Sequence, residues 1–142
     1  MWLTETEKER KLAELSQAAS RGEVDEAISP LLKLINSRPG MVTVQSCSGH
    51  RGTFDGEAWR NVSDGHVWIR MTENVSSAFE RVAHSLCAEA SIIQVALVWG
   101  RYDSPDGNRP LWEVVFGGLS ESATALGEAA DTIARWTGAL ES

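Results

Sequence analysis

The sequence predicts an α+β domain: a mixed or antiparallel sheet of about four strands covered by helices, in the order α-α-β-β-α-β-β-α. Three observations lead there. Segments with apolar residues at steps of three and four alternate irregularly with segments of period two or of continuous apolar character. Residues 92–99 and 111–116 flank a loop containing Pro105-Asp106-Gly107-Asn108, the turn chemistry of a long-looped hairpin. Finally, 142 residues with 42% hydrophobic and 23% charged content suit one domain with a real core.

Thr4-Glu5-Thr6-Glu7 has the capping-box pattern and opens a charged first helix. Its apolar stripe is Leu12, Leu15 and Ala19, a narrow face that places it on the outside, and Arg21-Gly22 ends it. Asp25 caps a second helix with a stronger stripe of Ile28, Leu31, Leu32 and Ile35. Pro30 either starts this helix afresh at Ser29 or kinks it, and the stretch from Asn36 to Gly40 closes it. Residues 42–46 read as a strand, and 53–65 as a loop with Trp59 and Arg60 at its centre. From His66 to Met71 the alternation is clean: Val67, Ile69 and Met71 on the core face, His66, Trp68 and Arg70 on the other. Asn74 or Thr72 caps a third helix with stripe Val75, Phe79, Val82 and Leu86; Cys87 lies beside the stripe, and His84 falls off it. The apolar run 92–99 suits a central strand covered on both faces. A last helix starts at Ser120, with stripe Ala123, Leu126, Ala130, Ile133, Thr137 and Leu140.

The net charge of −7 argues against a general nucleic-acid coat but permits a local basic patch on an acidic body. No Gly-x-Gly-x-x-Gly follows a strand and no Walker loop is present, so the common nucleotide-binding folds have no support. Two cysteines without a Cys-x-x-Cys pair, and a start too charged for a signal segment, fit a reducing cytoplasm. No apolar run reaches membrane-spanning length. Six tryptophans against one tyrosine exceed what the core requires and leave some for stacking on a ligand.

The chemistry-bearing stretch is Ser46-Cys47-Ser48-Gly49-His50-Arg51-Gly52, at the end of the first strand. Small residues there let backbone N–H groups approach a ligand, and glycine permits positive φ. The plainer reading is a polar turn between strands. The outward trio His66, Trp68 and Arg70 sets an aromatic ring between two donors, the mix that holds a base and its phosphates. The alternative places Trp68 beneath a helix and pairs Arg70 with a surface acid. Cys47 and His50 stand at Cys-x-x-His spacing and His66 could join them. That makes three candidates where structural zinc takes four ligands, so no metal site is expected.

The stretch from Gly22 to Gly49, with its Asp-capped helix ending in Leu-Ile-Asn-Ser, its Thr-containing strand and its Ser-Cys-Ser-Gly loop, resembles the opening of the tRNA wybutosine-synthesising methyltransferase family, the third protein of that pathway. The segments from His66 to Trp99 and from Leu111 to Leu140 are more weakly similar to the family's later elements. Where the family has arginine after the loop, this chain has His50, with Arg51 next. The family's following Trp-strand-Ser-His segment corresponds to Trp59 and Ser63…His66 over a shortened stretch, making this a short member. The loop also resembles that of short phage and bacterial proteins carrying Ser-Cys-Ser-Gly-His.

The resemblance implies an S-adenosylmethionine-dependent methyltransferase acting on the tricyclic guanine derivative beside the anticodon of phenylalanine tRNA. Ser46, Cys47, Ser48 and Gly49 would then bind cofactor. His50 or His66 would accept a proton, since imidazole titrates near neutrality. Arg51, Arg60 and Arg70 would hold phosphate, and Trp59 or Trp68 would stack on a base. Cys47 is a further candidate as a covalent nucleophile. The other functional expectation is a non-catalytic nucleotide- or RNA-binding module that kept the fold and lost part of the active site.

Overall fold

The computed structural model describes residues 2–24, 26–47, 53–54, 56, 59–60, 65–86, 92–100 and 109–116, together with Asp131 and Arg135. The elements are α1 (Glu5–Ser20), a 3-10 turn (Glu26–Ile28), α2 (Ser29–Asn36), β1 (Met41–Cys47), β2 (Thr53–Phe54), β3 (Trp59–Arg60), β4 (Gly65–Met71), α3 (Glu73–Leu86), β5 (Ile92–Gly100) and β6 (Arg109–Phe116). The main sheet has the order β1-β4-β6-β5, every neighbouring pair antiparallel. This settles the expectation of a mixed or antiparallel sheet in favour of the second. Of the expected last helix, Asp131 and Arg135 are helical and exposed; its other residues, like Asp25 and Cys87, lie outside the described set.

Local chemistry explains the helix boundaries. Thr4 Oγ1 accepts the Glu7 N–H at 3.1 Å, and Gly22, at φ 71°, turns the chain out of α1 while the Glu23 N–H donates to the Ala18 carbonyl. Helix α2 starts afresh at Ser29 with proline in its first turn, one of the two arrangements the sequence allowed. Of the two candidate caps for α3, Thr72 takes the role, its Oγ1 accepting the Val75 N–H at 3.3 Å.

The core fills the space between α2, α3 and one face of the sheet. Ile28, Leu31, Leu32 and Ile35 meet Met41, Val67, Ile69 and Met71 from the strands and Phe79, Ala83 and Leu86 from α3. Trp112 on β6 packs edge-on to Phe79, ring centroids 4.5 Å apart, and donates its indole N–H to Ser76 Oγ at 2.9 Å. At Gly65 a Cβ would collide with the Phe116 ring, so this first residue of β4 has no room for a side chain.

Three expectations require correction. The buried residues of α1 are Glu7, Lys8 and Lys11, whereas Leu12 and Leu15 are half-buried and Ala19 is exposed. The charges are tolerated because they are partnered: Lys8 Nζ donates to the Arg38 carbonyl at 2.6 Å, and Glu7 meets an arginine of the sheet. Strand β5 is an edge strand, with Gln94 exposed and Leu97 42% exposed; the two central strands are β4 and β6. Within the expected loop 53–65, β2 and β3 form an antiparallel pair, Thr53 opposite Arg60 and Phe54 opposite Trp59, with Gly56 at φ 98° between them. Two-residue strands are too short to show alternation.

The edge strand β1 carries an irregularity. Thr43 partners Ile69 and Gln45 partners Trp68, so Val44 is one residue more on β1 than β4 can match, a β-bulge. Asn36 braces this point from α2. Its Oδ1 accepts the Thr43 N–H at 2.8 Å and its Nδ2 donates to Thr43 Oγ1 at 3.0 Å. A strand-edge donor is thereby satisfied by a helix terminus.

Candidate functional site

The antiparallel register sets the end of β1 against the start of β4. Ser46 partners Val67, and Cys47 partners His66. Ser46 and Cys47, the first two of the expected cofactor residues, therefore lie on the strand next to the expected proton acceptor. His66 and Trp68 stand two residues apart on the sheet face opposite the core residues Val67 and Ile69, with ring centroids 5.9 Å apart and ring planes inclined by 45°. Both are half-buried. Trp68 has Glu113 of β6 as its cross-strand partner and donates its indole N–H to Glu113 Oε2 at 2.6 Å. That is a short bond to a carboxylate, stronger than one between neutral groups. His66 Nε2 is buried and has no hydrogen-bond partner among the described residues. That nitrogen lies next to the half-buried indole of Trp68.

Arg70 does not belong to this site. It is fully buried, its Nε and NH2 donate to the two carboxylate oxygens of Glu7 at 2.9 and 2.8 Å, and its NH1 donates to the Pro110 carbonyl at 2.8 Å. Arg109 NH1 approaches the same carboxylate at 3.5 Å. Phosphate cannot reach a guanidinium so enclosed. Arg70 is also four residues along β4 from His66, about 13 Å at the rise of a strand. The expectation that it holds phosphate is thus replaced by the other one weighed, pairing with an acid, although that acid is buried rather than on the surface. The trio His66, Trp68, Arg70 shares a face but not a place.

Trp59 and Arg60 are consecutive residues of β3 in the small two-stranded sheet. Ser48, Gly49, His50 and Arg51 lie outside the described residues. Among the described residues no group of three His, Cys, Asp or Glu is placed to hold a metal ion, and no helix is long and apolar enough to cross a membrane. A hollow of about 420 Å³ lies between α1 and α2, lined by Leu12, Leu15, Val24 and Leu32 among others, and a smaller one of about 200 Å³ reaches Thr43 and Val44 from α1. Neither touches His66 or Trp68.

Sequence reasoning passed over Glu113 and Glu7. Glu113 carried a signal, as the one acid in the apolar run of β6, but its partner is 45 residues away in sequence. Glu7 looked like half of a capping box, and nothing local ties it to Arg70, 63 residues on.

A family model for the methyltransferase TYW3 matches residues 6–98, about two thirds of the chain. The chain belongs to that family. The matched span runs from α1 into β5 and takes in every expected site residue from Ser46 to Arg70, while β6 with Glu113 lies beyond it. Among curated proteins the TYW3-family chain is 53% identical over 45 residues to the tRNA(Phe) 7-((3-amino-3-carboxypropyl)-4-demethylwyosine(37)-N(4))-methyltransferase 1 of Pyrococcus abyssi. That alignment covers 32% of this chain and 23% of the archaeal protein's length. The PH1069 protein of Pyrococcus horikoshii has the same fold, with a TM-score of 0.53 at 18% identity over 96% of this chain and 90% of that one.

Proposed function

We propose that this TYW3-family protein is an S-adenosylmethionine-dependent methyltransferase acting on N4 of the wyosine-type intermediate base of tRNA(Phe). The observation that carries the reading is the 45-residue stretch shared at 53% identity with a methyltransferase of that specificity, in a chain whose register sets the Ser46–Cys47 strand end beside His66. When bound, S-adenosylmethionine supplies the methyl carbon on a sulfonium sulfur. The unpartnered Nε2 of His66 and the neighbouring indole fit a heterocyclic ligand, which both the adenosyl group and the target base are.

In this reading Ser46, Cys47, Ser48 and Gly49 hold the cofactor through backbone N–H and side-chain groups. His66 or His50 takes the proton from the base nitrogen, and Trp68 stacks on the base with Trp59 as the other candidate platform. Arg51 and Arg60 hold phosphate. Methyl transfer needs chiefly alignment of nitrogen and methyl carbon, so a small site with few charged groups suffices. The non-catalytic binding module stays as the second reading, favoured by the net charge of −7 and by the withdrawal of Arg70 from the site.

The test incubates the protein with methyl-labelled S-adenosylmethionine and tRNA(Phe) bearing the 4-demethylated intermediate. The expected result is one labelled methyl group per tRNA, with His66→Ala slowing transfer by about 10²- to 10⁴-fold if His66 is the base. Binding of the tRNA without transfer selects the module. Absence of both binding and transfer overturns the tRNA reading altogether.

A further inference from the structure

We infer that Glu113 is a positioning residue: its carboxylate fixes the Trp68 indole as a stacking platform for a base of the RNA, beside the buried Nε2 of His66. The inference rests on the tRNA reading above. It adds a residue from β6, outside the span that the family model matches.

Four facts support it. Trp68 and Glu113 are cross-strand partners on the two central strands, so their backbones are held by ladder hydrogen bonds on both sides. The indole N–H meets Glu113 Oε2 at 2.6 Å, shorter than the usual N–H···O contact. Among the described residues Trp68 is not part of the hydrophobic core: it is half-buried, on the face away from Val67, Ile69 and Met71. A ring in that position has two broad χ2 wells, and a hydrogen bond to one edge selects between them. Lastly, the ring beside it has a buried nitrogen still without a described partner, so a polar group lies next to the fixed indole. An aromatic face plus one hydrogen-bonding edge is how proteins hold an unstacked RNA base.

The carboxylate works through the indole rather than on the RNA. That distinction sets the sign of the test. A carboxylate near RNA repels phosphate, so removing its charge alone tightens binding. If Glu113 instead holds the platform, removing its acceptor weakens binding in spite of the lost repulsion. Glu113→Gln keeps an acceptor oxygen and loses the charge; Glu113→Ala loses both.

The experiment measures the affinity of full-length wild type, Glu113→Ala, Glu113→Gln, Trp68→Phe and the Trp68→Phe/Glu113→Ala double variant for the same tRNA(Phe). Nitrogen-15 spectra of the tryptophan indole N–H groups are recorded in parallel, with the Trp68 signal assigned by its loss in Trp68→Phe. Glu113→Ala should weaken binding about tenfold, within the range that alanine substitution gives for a stacked base. Glu113→Gln should stay within about threefold of wild type. In the Trp68→Phe background, removal of Glu113 should have no further effect, because the groups act as one unit. The Trp68 indole proton should move upfield in Glu113→Ala and stay near its wild-type position in Glu113→Gln. Wild-type affinity in Glu113→Ala, or equal losses for Ala and Gln, or an additive double variant, overturns the inference while leaving the methyltransferase reading intact. A wild-type chain that does not bind the tRNA overturns both. Should Glu113→Ala fail to fold, Glu113→Val, which also removes the acceptor and suits a strand, takes its place with the same expected and refuting outcomes.

Discussion

Replacing Glu7 with alanine is the sharpest test of how α1 is attached. Both carboxylate oxygens of Glu7 accept from the guanidinium of Arg70, which is 0% exposed and reaches no water. The alanine variant leaves that cation buried with two donors stripped of their partner. Breaking a buried pair from one side costs about 3–5 kcal/mol. For a chain of this size that lowers the melting temperature by roughly 6–20 °C, at about 2–4 °C per kcal/mol. Urea unfolding followed by circular dichroism measures the loss directly, as a lower midpoint at an unchanged slope. Removing both charges together, as Glu7→Leu with Arg70→Met, should recover most of the loss, since desolvation of the pair largely cancels its attraction. A Glu7→Ala variant less than about 1 kcal/mol below wild type would refute the reasoning, because a buried guanidinium that loses its carboxylate partner is costly.

Other outcomes are equally specific. Gly65→Ala should destabilise by about 1–3 kcal/mol or more through the clash with the Phe116 ring, and Phe116→Leu in the same chain should restore part of it, both read by urea unfolding. Asn36→Ala should cost about 1–3 kcal/mol, because the Thr43 N–H loses its acceptor, and amide exchange at Thr43 should accelerate. Burial holds the Lys8 and Lys11 ammonium groups below their ordinary 10.5, with the charge of Glu5 opposing the shift at Lys8 and Glu14 opposing it at Lys11. Between the lowered values and 10.5 the unfolded chain binds more protons than the folded one, so stability contributed by these groups rises with pH. A Lys8→Met/Lys11→Met variant should show a flatter stability profile than wild type in the alkaline range just below pH 10.5; identical slopes would refute the assignment.

What the sequence made legible follows from the range over which each signal acts. Helices α2 and α3 and strand β4 carry their instructions within a few residues: Ile28, Leu31, Leu32 and Ile35, then the Thr72 cap with Phe79 and Leu86, then Val67, Ile69 and Met71. The charged contact surface of α1 was hidden because its partner is an arginine 63 residues away, and Leu12 and Leu15 offered a conventional stripe instead. An unbroken apolar run such as 92–99 records only that water is excluded somewhere nearby. It does not record whether the strand lies at the centre or at the rim, and Leu97 shows that it lies at the rim. For the candidate site, alternation identified His66 and Trp68 as face-mates but wrongly enlisted Arg70, since a shared face extends the whole length of a strand. Glu113 is a matter of pairing between distant segments, which periodicity does not encode.

The bulge at Val44 has a consequence for how this strand can vary. With the extra residue in place, Cys47 is the cross-strand partner of His66; with an unbroken ladder continuing from Thr43 opposite Ile69, that position would fall to Ser46. Excising Val44 itself would leave Cys47 opposite His66, since Gln45 would then follow Thr43 directly and meet Trp68 as it does now. The irregularity thus absorbs one surplus residue, and a chain one residue shorter here would keep the same cross-strand neighbours in a plain ladder.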